Sequence, residues 1–176
     1  AQITIGSLMT DAQNTAVSSL SGKVAVVTGG GRDIGRACAL RLAKAGEYRD
    51  EGTGNHVLRI ARYSRLLAEV LGLSPRDCDD IELASPMHDI GKIGIPDNIL
   101  LKEGPLDEQE MEIIRQHTVI GHDILCDSPS RYINLGAEIA LEHHEKYDGT
   151  GYPYGLAGED ISISGRIVAV VDVFDF

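Results

Sequence analysis

The chain has 176 residues, 43% of them hydrophobic, and a formal net charge of −11. That length and apolar content suit a folded domain with a core rather than a disordered chain, and the acidic balance argues against duplex nucleic acid as a partner. No run reaches the roughly 18 apolar residues of a membrane span, and no charged segment leads into an apolar one as in a secretory signal. Cys38, Cys78 and Cys126 are scattered and form no CxxC pair, so a reduced, cytoplasmic protein is expected.

Charge is unevenly placed. Residues 1–47 carry five Lys/Arg against three Asp/Glu, residues 48–176 carry eleven against twenty-four, and every aromatic residue lies from Tyr48 onward. That step predicts two pieces of different origin, 1–47 and 48–176. In the first, KVAVVT (23–28) reads as a short buried strand. Gly29-Gly30-Gly31 form a turn, and DIGRACALRLAKAGE (33–47) has helical spacing. A strand, a glycine turn and a helix can cradle a phosphate on backbone N–H groups. LSGKVAVVTGGGRDIGRACALRLAKAG (20–46) resembles the opening of short-chain dehydrogenases/reductases, which implies a Rossmann-like βα fragment with Thr28, Gly29 and Gly35 at the pyrophosphate. Asp33 stands where that family has a glycine, where its charge would repel a pyrophosphate. No further βα unit and no Tyr-x-x-x-Lys pair follow, so NAD(P) is not expected to bind, and an oxidoreductase fragment is the most distant of the functional readings.

The second piece reads as consecutive helices. Asn55–Leu71 places Val57, Ile60, Ala61, Leu67 and Val70 at helical spacing and ends at Gly72. Ser74-Pro75-Arg76-Asp77 starts a helix expected to run to about Ile90. Leu106–Glu110 opens another that carries His117 in its middle and ends before Pro129. Arg131–Glu145 is a further helix, residues 148–160 a glycine-rich loop, and Ser164–Phe176 a buried helix capped by Ser164. The expected class is mainly α: a helical bundle bearing a short N-terminal βα fragment.

Histidines fall in a pattern on these elements: His56, His88-Asp89, His117 and His143-His144, closed by Asp172 in an apolar run. Each sits on or beside an apolar face, where an unpaired charge is costly and metal coordination would resolve the cost. Nitrogen and oxygen donors without thiolate suit Fe, Mn or another first-row cation. His122, five residues after His117, falls off that face and reads as a surface or packing residue.

HDIGKIGIP (88–96), HTVIGHDIL (117–125), HHEKYDGTGYP (143–153) and RIVAVVDVFD (166–175) occur in order. Residues 48–176 with these motifs resemble the HD-GYP branch of the HD phosphohydrolases. The resemblance implies an HD helical bundle and hydrolysis of cyclic di-GMP to pGpG and on to GMP. It implies one divalent transition metal held by His56, His88, Asp89 and Asp172, and a second, bridged by Asp89, held by His117, His143 and His144. Asp89 and Lys92 would serve catalysis, Lys92 against the substrate phosphate. Lys146, Asp148, Gly149, Gly151, Tyr152 and Pro153 would shape the site and a surface for diguanylate cyclase (GGDEF) domains. Where the family often has an acidic ligand for a third metal, this chain has Gly52, with Glu51 turned about 100° away on a helix, so two metals are expected rather than three. The family continues past DVFDAL into a phosphate-gripping segment. This chain stops at Phe176, so weakened turnover is expected, and a metal-binding interaction module with little activity stands as the alternative to the enzyme.

Overall fold

The computed structural model describes Ala37, residues 39–44 and residues 56–175. The strand expected at 23–28, the positions Thr28, Gly29 and Gly35, and the Glu51-Gly52 offset lie outside those residues. Residues 37 and 39–44 are helical, and Ala39 and Ala43 are buried in the same apolar cluster as Val57, Met87 and Ile139.

Helix α1 spans His56–Val70 and buries Val57, Ile60, Ala61, Ser64 and Ala68; the spacing predicts the first three, whereas Val70, expected on the same face, is exposed at the helix end. It ends where Gly72 adopts φ +80° and Leu73 N–H donates back to Ala68 O at 3.1 Å, a glycine stop that L side chains resist. Helix α2 spans Pro75–Ala84, with Ser74 Oγ accepting from Asp77 N and proline at the first turn. It stops short of the expected Ile90. Pro86 has no N–H to donate to Glu82 O, and its ring crowds that carbonyl. The chain therefore tightens into a 3₁₀ turn at Ser85–Met87, and a second follows at Ile90–Gly94. His88 and Asp89 occupy the joint between the two turns rather than a helix end.

Short helix α3 (Asp97–Leu100) leads to α4 (Glu108–Arg115), which opens on a reciprocal capping box between Asp107 and Glu110. The single helix expected through His117 is in fact two, since α5 begins at His117 and runs to Leu125. At the break His117 Nδ1 donates to Ile114 O at 2.7 Å and Thr118 Oγ1 to Arg115 O at 3.0 Å. These side chains satisfy carbonyls at the end of α4 that a continuous helix would have used itself. Helix α6 spans Arg131–Glu142, three residues shorter than expected, and α7 spans Ile163–Asp175. Ser162, not Ser164, caps α7, its Oγ accepting from Gly165 N at 3.0 Å.

Helix α6 is central, packing against α2, α5 and α7, while α1 packs against α2 and α7. Met87, Ile139 and Val168 are fully buried where these faces meet, each worth about 1.5–3 kcal/mol relative to exposure. The described residues contain no strand, and no helix among them is long and apolar enough to cross a membrane.

Candidate metal centre

The bundle brings the pattern residues together in two groups. His56, His88 and Asp172 form one, and Asp89, His117, His143 and His144 the other; within each group one ligand atom per residue lies within 4.8 Å of all the rest. Asp172 Oδ1, on α7, lies 3.6 Å from both His56 Nε2 and His88 Nε2. Asp89 stands between the groups. Its Oδ2 is 3.3 Å from His88 Nε2, and its Oδ1 is 3.4 Å from His117 Nε2 and 3.6 Å from His143 Nε2. Two donors each about 2.1 Å from one cation lie roughly 3–4 Å apart, so these spacings could accommodate a shared cation.

Backbone geometry sets which nitrogen each ring presents. His88 Nδ1 faces Ser85 O at 3.0 Å, His117 Nδ1 faces Ile114 O, and His143 Nδ1 faces Ile139 O and Ala140 O at 3.2 and 3.0 Å. A carbonyl only accepts, so Nδ1 carries the proton and Nε2 turns inward as the nitrogen that could meet a cation. His117 Nε2 and His143 Nε2 face each other at 3.4 Å, two lone pairs that repel unless a cation or proton lies between them. His88 Nε2 and Asp89 Oδ1 are buried and make no hydrogen bond, an arrangement costly without a ligand. These atoms without hydrogen bonds and the all-N/O donor set fit first-row divalent cations.

Electrostatics divides the rings. Burial pushes His144 down to about 2, with His143 and His117 adding to it, and pushes His117 down to about 4 against the pull of Asp89. Both rings are neutral at physiological pH, as ligands must be. For His88 burial also opposes charge, but Asp89 and Asp172 outweigh it and carry the pKa up to about 10. A cation at this nitrogen would compete with that proton. Asp89 is held well below the usual carboxylate range, its burial outweighed by His88, His143 and Lys92. Lys92 Nζ lies 2.8 Å from Asp89 Oδ2, one turn along.

Gly91 lets this joint form. A Cβ there would meet His117 O at 1.8 Å and Gly121 N at 2.5 Å, so no side chain fits between the second 3₁₀ turn and α5. Gly151 plays the same part in the loop, where a Cβ would meet Lys146 N at 2.3 Å and Glu145 Cα at 2.5 Å. Tyr152, whose peptide bond to Pro153 is cis, stacks on His144 with centroids 4.7 Å apart, and the Arg115 guanidinium lies 5.3 Å from the Tyr152 centroid. Burial pushes the Tyr152 phenol up to about 12. Lys146 is exposed, Gly149 turns the loop at φ +77°, and exposed Asp148 accepts from Thr150 N and Oγ1. Lys146 and Asp148 thus do not join the histidine groups. His122 pairs with Asp123 at the surface, with Cys126 nearby.

Two residues that the sequence reading passed over belong to this architecture. Asp175 Oδ2 lies 2.6 Å from His56 Nδ1, and Glu145, 4% exposed, accepts from Tyr154 N and Leu156 N. A second aspartate three residues after Asp172, on the same helix face, is the signal for the first. The second leaves no local signal, since its partners are backbone groups of a loop.

The HD domain family profile matches residues 41–176. The chain is 54% identical over 135 residues to the cyclic di-GMP phosphodiesterase response regulator RpfG of Xanthomonas campestris pv. campestris, covering 77% of this chain and 36% of that protein. It is 55% identical over 129 residues to a cyclic di-GMP phosphodiesterase of Thermotoga maritima, covering 73% and 35%. It is 49% identical over 144 residues to 3'3'-cGAMP-specific phosphodiesterase 2 of Vibrio cholerae, covering 82% and 28%. The chain thus spans about a third of the length of these relatives.

Proposed function

The chain belongs to the HD domain family, and from that premise we propose that its bundle is an HD-GYP-type phosphodiesterase domain. Its substrate is a cyclic dinucleotide, cyclic di-GMP foremost, and its cofactor a pair of divalent cations, iron or manganese. The observation that carries this reading is the convergence of inward-facing imidazole Nε2 atoms and two carboxylates in two groups on either side of Asp89. In this reading His56, His88, Asp89 and Asp172 hold one cation, and Asp89, His117, His143 and His144 the other.

Hydrolysis adds one water across a P–O bond: phosphorus gains the water oxygen, and the ribose oxygen leaves with a proton. The cation pair, when bound, supplies Lewis-acid stabilisation of the phosphoryl oxygens and lowers the pKa of water. The chain's own residues supply the rest. Carbonyls at Nδ1 hold His88, His117 and His143 in one tautomer, so the donors need no reorganisation when charge develops. In this reading Lys92, whose Nζ is held 2.8 Å from Asp89 Oδ2, offers its charge to a phosphate oxygen of the substrate. Tyr152, stacked on His144 and faced by Arg115, closes the loop side of the site with an aromatic side chain.

Relatives named for cyclic di-GMP favour that substrate, and the Vibrio cholerae relative named for 3'3'-cGAMP supports the second. Metal-loaded protein incubated with each dinucleotide and followed by chromatography separates them. Linear pGpG, then GMP, is expected from cyclic di-GMP. Intact cyclic di-GMP alongside cleaved 3'3'-cGAMP would reverse the assignment.

A further inference from the structure

Each imidazole that points Nε2 into the centre needs its other nitrogen fixed. His88, His117 and His143 use backbone carbonyls three or four residues upstream. His56 opens α1 and relies on a different device. Its Nδ1 lies 2.6 Å from Asp175 Oδ2, and Asp175 Oδ1 lies 2.6 Å from Arg59 Nε. The Asp175 side chain is 5% exposed. Asp172, one turn earlier on α7, lies 3.6 Å from Nε2 of the same ring. One face of α7 therefore engages both nitrogens of one histidine, with Asp172 on the inward side and Asp175 on the outward side.

We infer that Asp175 is a positioning residue of the centre: its carboxylate, clamped by Arg59, fixes the tautomer and orientation in which His56 presents Nε2 beside Asp172. This rests on the two-cation reading above. Asp175 Oδ1 pairs with the Arg59 guanidinium at 2.6 Å, and a carboxylate so paired only accepts, so Nδ1–H is the donor. An ionised partner strengthens the bond relative to a neutral carbonyl and makes the ring a better donor at Nε2. Because Asp175 reaches His56 and not the other rings, its effect falls on the group His56, His88 and Asp172.

The test is a chelator competition with Mn(II) on the whole chain, comparing wild type with Asp175→Ala, the isosteric Asp175→Asn and the charge-retaining Asp175→Glu. Wild type is expected to bind two cations. In the Ala variant affinity at one site falls by about 10–100-fold while the other is unchanged. The Asn variant loses less, and Glu recovers part of the loss. Imidazole ¹⁵N NMR of metal-free protein should show His56 protonated at Nδ1 in wild type and a tautomer mixture in the Ala variant, a change that loss of packing alone would not produce. Two unchanged affinities in both the Ala and Asn variants would overturn the inference, as would an equal loss at both sites. Wild-type protein that binds no cation would overturn the two-cation reading and this inference with it, and that result precedes any variant.

Discussion

Replacing Glu145 by alanine should detach the glycine-rich loop from the bundle. Glu145 follows the His143-His144 pair, is 4% exposed, and accepts Tyr154 N at Oε1 (2.7 Å) and Leu156 N at Oε2 (3.0 Å). Those bonds, with Tyr152 N donating to His144 O at 3.2 Å, hold the loop so that Tyr152 covers His144. A hydrogen bond to a charged group contributes about 1.5–3 kcal/mol. Taking the low end for each bond, Glu145→Ala should cost about 3 kcal/mol, with both N–H groups left to find water. Glu145→Gln retains one acceptor and sets an amide donor against the other N–H, so its loss should be smaller. Urea unfolding reads the difference: with a slope of about 2 kcal/mol per molar, the midpoint of the Ala variant should fall by about 1.5 M. Limited proteolysis should find new cleavage within 150–157. A midpoint shift corresponding to less than about 0.5 kcal/mol, the range of ordinary surface substitutions, would show that the loop is held by something other than this carboxylate.

Asp89→Ala removes the carboxylate that faces both histidine groups, and metal analysis should show neither cation retained and turnover abolished. His122→Ala, at the surface beside Asp123, should leave metal content and turnover unchanged; loss of either would place His122 in the working site. Gly91→Ala forces a Cβ to within 1.8 Å of His117 O. Because the obstacle is backbone rather than a flexible side chain, thermal unfolding should reveal a loss of about 3 kcal/mol, and metal binding should weaken with it.

The convergence of these histidines and aspartates was legible in the sequence because His88-Asp89, His143-His144 and Asp172 each carry a local context. The same holds for α1 and for the start of α2, where apolar spacing meets glycine, serine and proline punctuation. Other features were not legible. His117 was expected inside a helix because the apolar period runs unbroken across Gln116, and the break becomes visible only when the His117 and Thr118 side chains are seen bonding to the carbonyls of α4. Pro86 does announce the end of α2, but Leu83, Met87 and Ile90 continue the helical spacing past it and conceal it. Asp175 and Glu145 act across 119 and about ten residues respectively, and partnerships at such distances are set by packing rather than by spacing.

The proposed function has this bundle hold two cations and use them on a cyclic dinucleotide. It is tested most directly by adding Mn(II) to metal-free protein in fractions of an equivalent while the initial rate of cyclic di-GMP cleavage is measured. No pGpG is expected without metal, and the rate should climb to a plateau at two cations per chain. A plateau at two bound cations with cyclic di-GMP left intact, or full cleavage in the absence of metal, would contradict it.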